Sequence, residues 1–159
     1  MDSNTLAAFI DEHRLPKSYL KKAKKWFVPM VSQLVLDQEH AAYPLIIGIN
    51  GAQGSGKTTL AALMVSLFAQ HGLKAVSLSI DDFYCTRAER FQLADKVNPL
   101  LRSRGVPGTH DIALAVDVVI IEGWCIGALA QAGADLNKPV NALEREQDRT
   151  REWRTYANQ

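Results

Sequence analysis

The sequence predicts an α/β fold, a mostly parallel β-sheet flanked by helices with an N-terminal helical appendage, and three observations carry that reading. The apolar run Leu45-Ile46-Ile47-Gly48-Ile49 leads directly into the glycine-rich turn Gly51-Ala52-Gln53-Gly54-Ser55-Gly56-Lys57-Thr58. A helical pattern then runs to about His71, Gly72 stops it, and Lys74 to Ile80 reads as the next strand, completing a strand, helix, strand unit. Four consecutive β-branched residues, Val118-Val119-Ile120-Ile121, read as a central parallel strand buried on both faces. In such folds ligands gather at the carboxyl ends of the strands, so the residues that follow each run are where chemistry is expected.

The turn at 51–58 has the form of a P-loop, which places the chain among the P-loop NTPases. Gly51, Gly54 and Gly56 allow the backbone N–H groups to turn inward around a polyphosphate, a geometry that side chains obstruct. The helix that starts near Lys57 adds unpaired N–H donors and the positive end of its dipole. Lys57 supplies a mobile charge to the β- and γ-phosphates, and Thr58 a hydroxyl to Mg²⁺. The reading is that the loop binds ATP or GTP.

Ahead of the sheet, Ser3 or Asn4 can cap a short helix that carries Leu6, Phe9 and Ile10 on one face. After Pro16, the spacing of Tyr19, Leu20, Ala23, Trp26, Phe27, Met30, Val31, Leu34 and Val35 predicts an amphipathic helix, which Pro29 should kink or split. Lys17, Lys21, Lys22, Lys24 and Lys25 then read as its solvated face. The expected organisation is a helical segment over 1–40 packed on a domain of 41–159.

With 159 residues, 47% of them hydrophobic, the chain can bury one real core. A formal net charge of +1 gives no bulk attraction to nucleic acid, and none is expected as a partner. Cys85 and Cys125 form neither a disulfide framework nor a metal-ligand spacing. No apolar run approaches the roughly 20 residues that span a bilayer, and no membrane association is expected. Asp2 stands where a secretory leader is basic, so the expected location is cytoplasmic.

Two adjacent carboxylates, Asp81 and Asp82, follow the second strand on the P-loop edge of the sheet. Such a pair can serve Mg²⁺ or accept a proton from an attacking hydroxyl, and on an extended segment the two side chains divide those tasks. Glu122, at the tip of the third strand, stands where a P-loop protein places the acid that steadies Mg²⁺, usually through water. Thr86-Arg87-Ala88-Glu89 has capping-box spacing and predicts a helix to about Val97, stopped by Asn98-Pro99. The Gly- and Pro-rich stretch 100–111 reads as a loop whose Arg102, Arg104, His110 and Asp111 either hold an anionic, hydroxylated substrate or are simply solvated.

Together, Gly51 through Thr59, Ser79-Ile80-Asp81-Asp82-Phe83-Tyr84, Arg104-Gly105-Val106-Pro107-Gly108-Thr109-His110-Asp111 and Ile121-Glu122-Gly123-Trp124 resemble the D-glycerate 3-kinase family and its uncharacterised bacterial and fungal relatives. These are P-loop kinases of the phosphoribulokinase, uridine kinase and pantothenate kinase group. Val140-Asn141-Ala142-Leu143-Glu144 and Trp153-Arg154-Thr155-Tyr156 share the likeness. The resemblance implies transfer of the γ-phosphoryl group of ATP, with Mg²⁺, to a hydroxyl of a small and anionic metabolite such as glycerate. It implies that Asp81 is the base, that Lys57, Thr58 and Glu122 serve phosphate and metal with Asp82 beside them, and that Tyr84, Arg104, His110 and Asp111 belong to the acceptor side.

The chain departs from the family pattern in two places. Ile112 to Val116 runs into Asp117-Val118-Val119 without a turn residue where relatives carry a polar, basic segment, so residues are expected to be missing near 116 and 117. Relatives also continue beyond the Trp-Arg-x-Tyr segment, so more chain is expected after Gln159. Two other readings stay open: a nucleotide-dependent switch without a metabolite substrate, and a kinase whose acceptor is a nucleoside or pantothenate. The absence of an Asn-Lys-x-Asp guanine-reading motif weighs against the switch.

Overall fold

The computed structural model describes residues 3–96 and 115–158. They fall into two compact units, the first from the described residues of Met1–Tyr84 and Pro107–Ile126, the second from those of Cys85–Val106 and Gly127–Gln159.

The first unit opens with helices α1 (Ser3–Glu12) and α2 (Ser18–Lys22). A π-helical turn (Ala23–Phe27) and helix α3 (Val28–Glu39) follow. The π-turn is how the chain accommodates Pro29. A proline has no N–H to give the carbonyl four residues back, and the chain widens just ahead of it so that Val28 N–H reaches Ala23 O instead. The predicted helix is thus split by a wider turn, with Pro29 in the first turn of α3, where an N–H is not needed.

Strands β1 (Leu45–Asn50), β2 (Ala75–Ser79) and β3 (Val118–Gly123) form a parallel sheet in the order β1-β3-β2. Leu45 pairs with Val118 and Ala75 pairs with the same residue from the other side, so β3 is the central strand. Helix α4 (Lys57–Gln70) connects β1 to β2, which flank β3, by the crossover that parallel strands require. The entry to β3 is held by Asp117, whose N–H donates to Lys74 O at 2.8 Å and whose Oδ2 accepts from Lys74 N at 2.7 Å. Ala115 and Val116 lead into it as irregular chain.

The core joins the N-terminal helices to the sheet. Leu6, Phe9, Ile10, Val31 and Val35 share one buried cluster with Ala61, Leu63, Met64, Leu67 and Phe68 of α4 and with Val118 and Ile120 of β3. Leu45, Ile47 and Ile49 pack against it from β1. This is one face of the sheet. Among the described residues of this unit, the helices gather on the face of Val118 and Ile120, and Ile46 on the opposite face is 70% exposed.

The second unit contains α5 (Arg87–Lys96), α6 (Ala142–Gln147) and α7 (Glu152–Ala157). The capping box expected at Thr86 is present: Thr86 N and Oγ1 both donate to Glu89 Oε2 at 2.7 Å, and Glu89 N returns a 3.4 Å bond. Buried Asp148 accepts from Trp153 N and Arg154 N at 2.9 and 3.1 Å, and Arg154 Nη1 donates to Glu144, which ties α6 to α7. These bonds place Glu144 and the Trp153-Arg154 segment in a structural role.

Candidate active site

Three chain segments meet at the carboxyl end of the sheet, and the P-loop is the first. Gly54 and Gly56 adopt φ of +74° and +90°, a left-handed backbone that a side chain makes costly, by roughly 1–2 kcal/mol per residue. Gly51 is tight for a different reason: a Cβ there would lie 2.8 Å from Ser55 Oγ, so that hydroxyl would have to turn away. Its N–H donates to Gly123 O at 3.3 Å, which pins the start of the loop to the end of β3. Gly56 is the N-cap of α4, so the unpaired N–H groups of the first helical turn open onto the loop.

Lys57 and Thr58 begin the helix. The Lys57 ammonium donates to Ala52 O at 2.9 Å, spanning the loop from within. Thr58 Oγ1 donates to Glu122 Oε1 at 2.8 Å. Glu122 is only 4% exposed, a carboxylate held under the loop by the tip of the central strand. A hydroxyl beside a buried carboxylate is the oxygen-only donor set that suits a hard cation.

The third segment departs from expectation. Residues after β2 are not extended: Ile80–Phe83 form a 3-10 turn capped by Ser79. Ser79 Oγ accepts from Asp81 N at 3.3 Å, and Asp82 Oδ2 accepts from Ser79 N at 3.1 Å. The two aspartates therefore differ in place along a turn rather than along a strand. Asp81 lines the cleft. Asp82, expected beside Thr58 and Glu122 at the metal, caps its own turn through Oδ2 and is not among the residues that line the cleft.

The cleft that results holds about 200 Å³ and is lined by Gln53 and Gly54 of the loop, Lys57 and Thr58 at the start of α4, Ser79 at the end of β2, Ile80 and Asp81 of the 3-10 turn, Glu122 and Gly123 of β3, and Trp124 just after it. Among the other residues expected at the nucleotide, Gly51, Ala52, Ser55 and Gly56 shape the loop without lining this space, and Thr59 is half-buried in the first turn of α4. Gly123 lets the strands close up: a Cβ there would come within 2.5 Å of Ile80 Cγ2. Arg104, His110 and Asp111 lie outside the described residues. Among the described residues no cluster of three or more His, Cys, Asp or Glu side chains could hold a metal without help.

Tyr84, expected on the acceptor side, stands next to the cleft lining and is not part of it. Its phenol oxygen accepts from Trp124 Nε1 at 3.1 Å, and Trp124, not Tyr84, lines the cleft. Trp124 had no assigned role in the sequence. The available signal was its position directly after Glu122-Gly123 at a strand's carboxyl end.

A larger hollow of about 390 Å³ lies in the second unit among Leu129, Leu143, Asp148, Trp153 and Arg154. It has no loop of open N–H groups, and its buried charges pair with one another.

Comparison with known proteins agrees with this geometry. The chain is 44% identical over 78 residues to the uncharacterized kinase mug58 of Schizosaccharomyces pombe, an alignment covering 48% of this chain and 28% of that protein. It is 41% identical over 78 residues to the chloroplastic D-glycerate 3-kinase of Arabidopsis thaliana, covering 48% of this chain and 17% of that one. The chain thus spans less than a third of the length of these curated relatives. Among solved structures, the YGR205w protein superposes with a TM-score of 0.56 at 23% identity, over 87% of this chain and 62% of its own, which establishes a shared fold. The profile of the Phosphoribulokinase / Uridine kinase family matches residues 46–104. That span takes in nearly all of β1, the P-loop, α4, β2 and Asp81, so the stretch that carries the loop and the first two strands is similar to the phosphoribulokinase/uridine kinase family, on an α/β P-loop fold.

Proposed function

We propose that this chain is an ATP-dependent small-molecule kinase that transfers the γ-phosphoryl group to a hydroxyl of a small, anionic metabolite, with glycerate or a related hydroxy acid as the leading acceptor. The observation that carries the reading is the Thr58 to Glu122 hydrogen bond at 2.8 Å, with Asp81 in the same cleft. A phosphate cradle, an oxygen pair suited to Mg²⁺ and a separate carboxylate are the parts phosphoryl transfer needs, because that reaction depends on positioning and charge stabilisation.

In this reading the loop N–H groups and Lys57 hold the β- and γ-phosphates, with Lys57 exchanging Ala52 O for a phosphate oxygen. Thr58 and Glu122 would hold Mg²⁺, which supplies charge neutralisation on the phosphates when bound. Asp81 accepts the proton of the attacking hydroxyl. Its place on a capped turn fixes it on the β2 side of the cleft. The acceptor proposal draws on the likeness to the Arabidopsis D-glycerate 3-kinase.

The test is ADP release measured with a panel of hydroxy acids, nucleosides and pantothenate. One acceptor should raise the rate sharply, and Lys57→Met should abolish it. Slow turnover indifferent to every acceptor would favour a nucleotide-dependent switch and end the kinase reading.

A further inference from the structure

The cleft has one wall that the phosphotransfer chemistry leaves unused. Trp124 lies two residues beyond Glu122, lines the cleft, and remains 56% exposed. An indole of that size in the wall of a polar cleft presents an apolar face that, among the described residues, is left largely uncovered. Its one polar atom is committed: Nε1 donates to Tyr84 Oη at 3.1 Å.

That bond decides which part of the cleft the indole serves. Tyr84 immediately follows the 3-10 turn Ile80–Phe83 that carries Asp81, so Trp124 is anchored toward the β2 side. The P-loop and Lys57 come from β1, on the other side of the central strand. We propose that Trp124 is the specificity-determining wall of the acceptor subsite, stacking against the C–H face of the molecule whose hydroxyl meets Asp81, and that Tyr84 is a positioning residue that fixes the indole for this contact. The inference rests on the kinase reading above.

The ligand class follows from the wall. An aromatic face rewards a compact carbon skeleton with one flat, nonpolar side, while the opposite side presents hydroxyls to Asp81. Short polyols and hydroxy acids have that shape. Tyr84 acts indirectly: its oxygen takes the indole N–H, which removes the main freedom of an exposed tryptophan ring.

The test is steady-state kinetics of the full chain with the best acceptor from the panel. Trp124→Ala should raise the acceptor KM about tenfold or more, the scale of a lost apolar contact in a specificity pocket, while the ATP KM stays within about twofold. Trp124→Phe should restore most of the loss. Tyr84→Phe, which removes only the acceptor oxygen, should raise the acceptor KM by a few-fold with kcat unchanged.

A second readout does not depend on turnover. In a Trp26→Phe, Trp153→Phe background, Trp124 is the sole indole, and its emission should shift on adding the acceptor and respond far less to Mg-ADP. If Trp124→Ala fails to fold, Tyr84→Phe and this titration carry the decision. Equal rises in both KM values, an unchanged acceptor KM, or emission blind to the acceptor would overturn the proposal. Those outcomes leave wild-type turnover intact, whereas a wild type that no acceptor stimulates means that the kinase reading itself has failed, and this inference with it.

Discussion

Thr58 Oγ1 and Glu122 Oε1 lie 2.8 Å apart although 64 positions separate them in the chain. The bond joins the first turn of α4 to the tip of β3, and the Gly51 to Gly123 bond beside it closes the same seam on the backbone. Two groups that act through one contact should not behave additively when each is removed. Thr58→Ala and Glu122→Gln are each expected to lower kcat by about 10²-fold or more, the scale of a lost electrostatic stabiliser. The double variant should be little worse than the poorer single one, and a coupled ADP-release assay on all four proteins checks it.

Asp81 and Asp82 are adjacent and chemically identical, yet they are expected to respond in opposite ways. Asp81→Asn should cut kcat by about 10²-fold or more and leave nucleotide binding, read by calorimetry, nearly unchanged. Asp82→Asn should keep most activity and lose stability by about 0.5–2 kcal/mol, the usual worth of a cap, read from denaturant unfolding.

Gly123→Ala would drive a methyl group to within 2.5 Å of Ile80 Cγ2 and 3.0 Å of Ile80 Cβ. Overpacking of this kind costs about 1–3 kcal/mol, and here the displaced residue opens the turn that carries Asp81. Activity should therefore fall more than stability. Adding Ile80→Ala should recover part of both, measured by thermal melts and kcat on the single and double variants.

The Glu89 carboxyl is held below its ordinary 4.5, first by the hydrogen bond from the Thr86 hydroxyl and then by that from the Thr86 backbone. Its folded value lies below its unfolded one, so its contribution to the start of α5 is present in full above about 4.5 and is lost as pH falls through the folded value. A carboxyl-detected NMR titration should show the lowered midpoint. Thr86→Val, which keeps the backbone donor and removes the hydroxyl, should move it part of the way toward the ordinary value.

The parts legible from residue order were those that depend on local geometry. Gly54 and Gly56 announce a left-handed loop, and the β-branched run of Val118 to Ile121 announces a central strand, because each restricts the backbone by its own sterics. Glu122 was legible by position, as the acid at the end of that strand. The turn after β2 was misread: Ser79-Ile80-Asp81-Asp82 has the Ser-x-x-Asp spacing of a capping box, but its place at the end of a strand suggested continued extension. Trp124 was passed over because the Trp124 to Tyr84 contact spans 40 positions and exists only once β3 lies beside β2.

Lys57 resting on Ala52 O means that the loop is never an idle positive charge waiting for any anion. An incoming molecule must outbid a carbonyl already in hand. A lone carboxylate offers the ammonium one comparable partner and gains little, whereas a chain of phosphates also engages the open amides at the head of α4. The loop therefore sorts visitors by how many oxygens they bring before their shape is read at all.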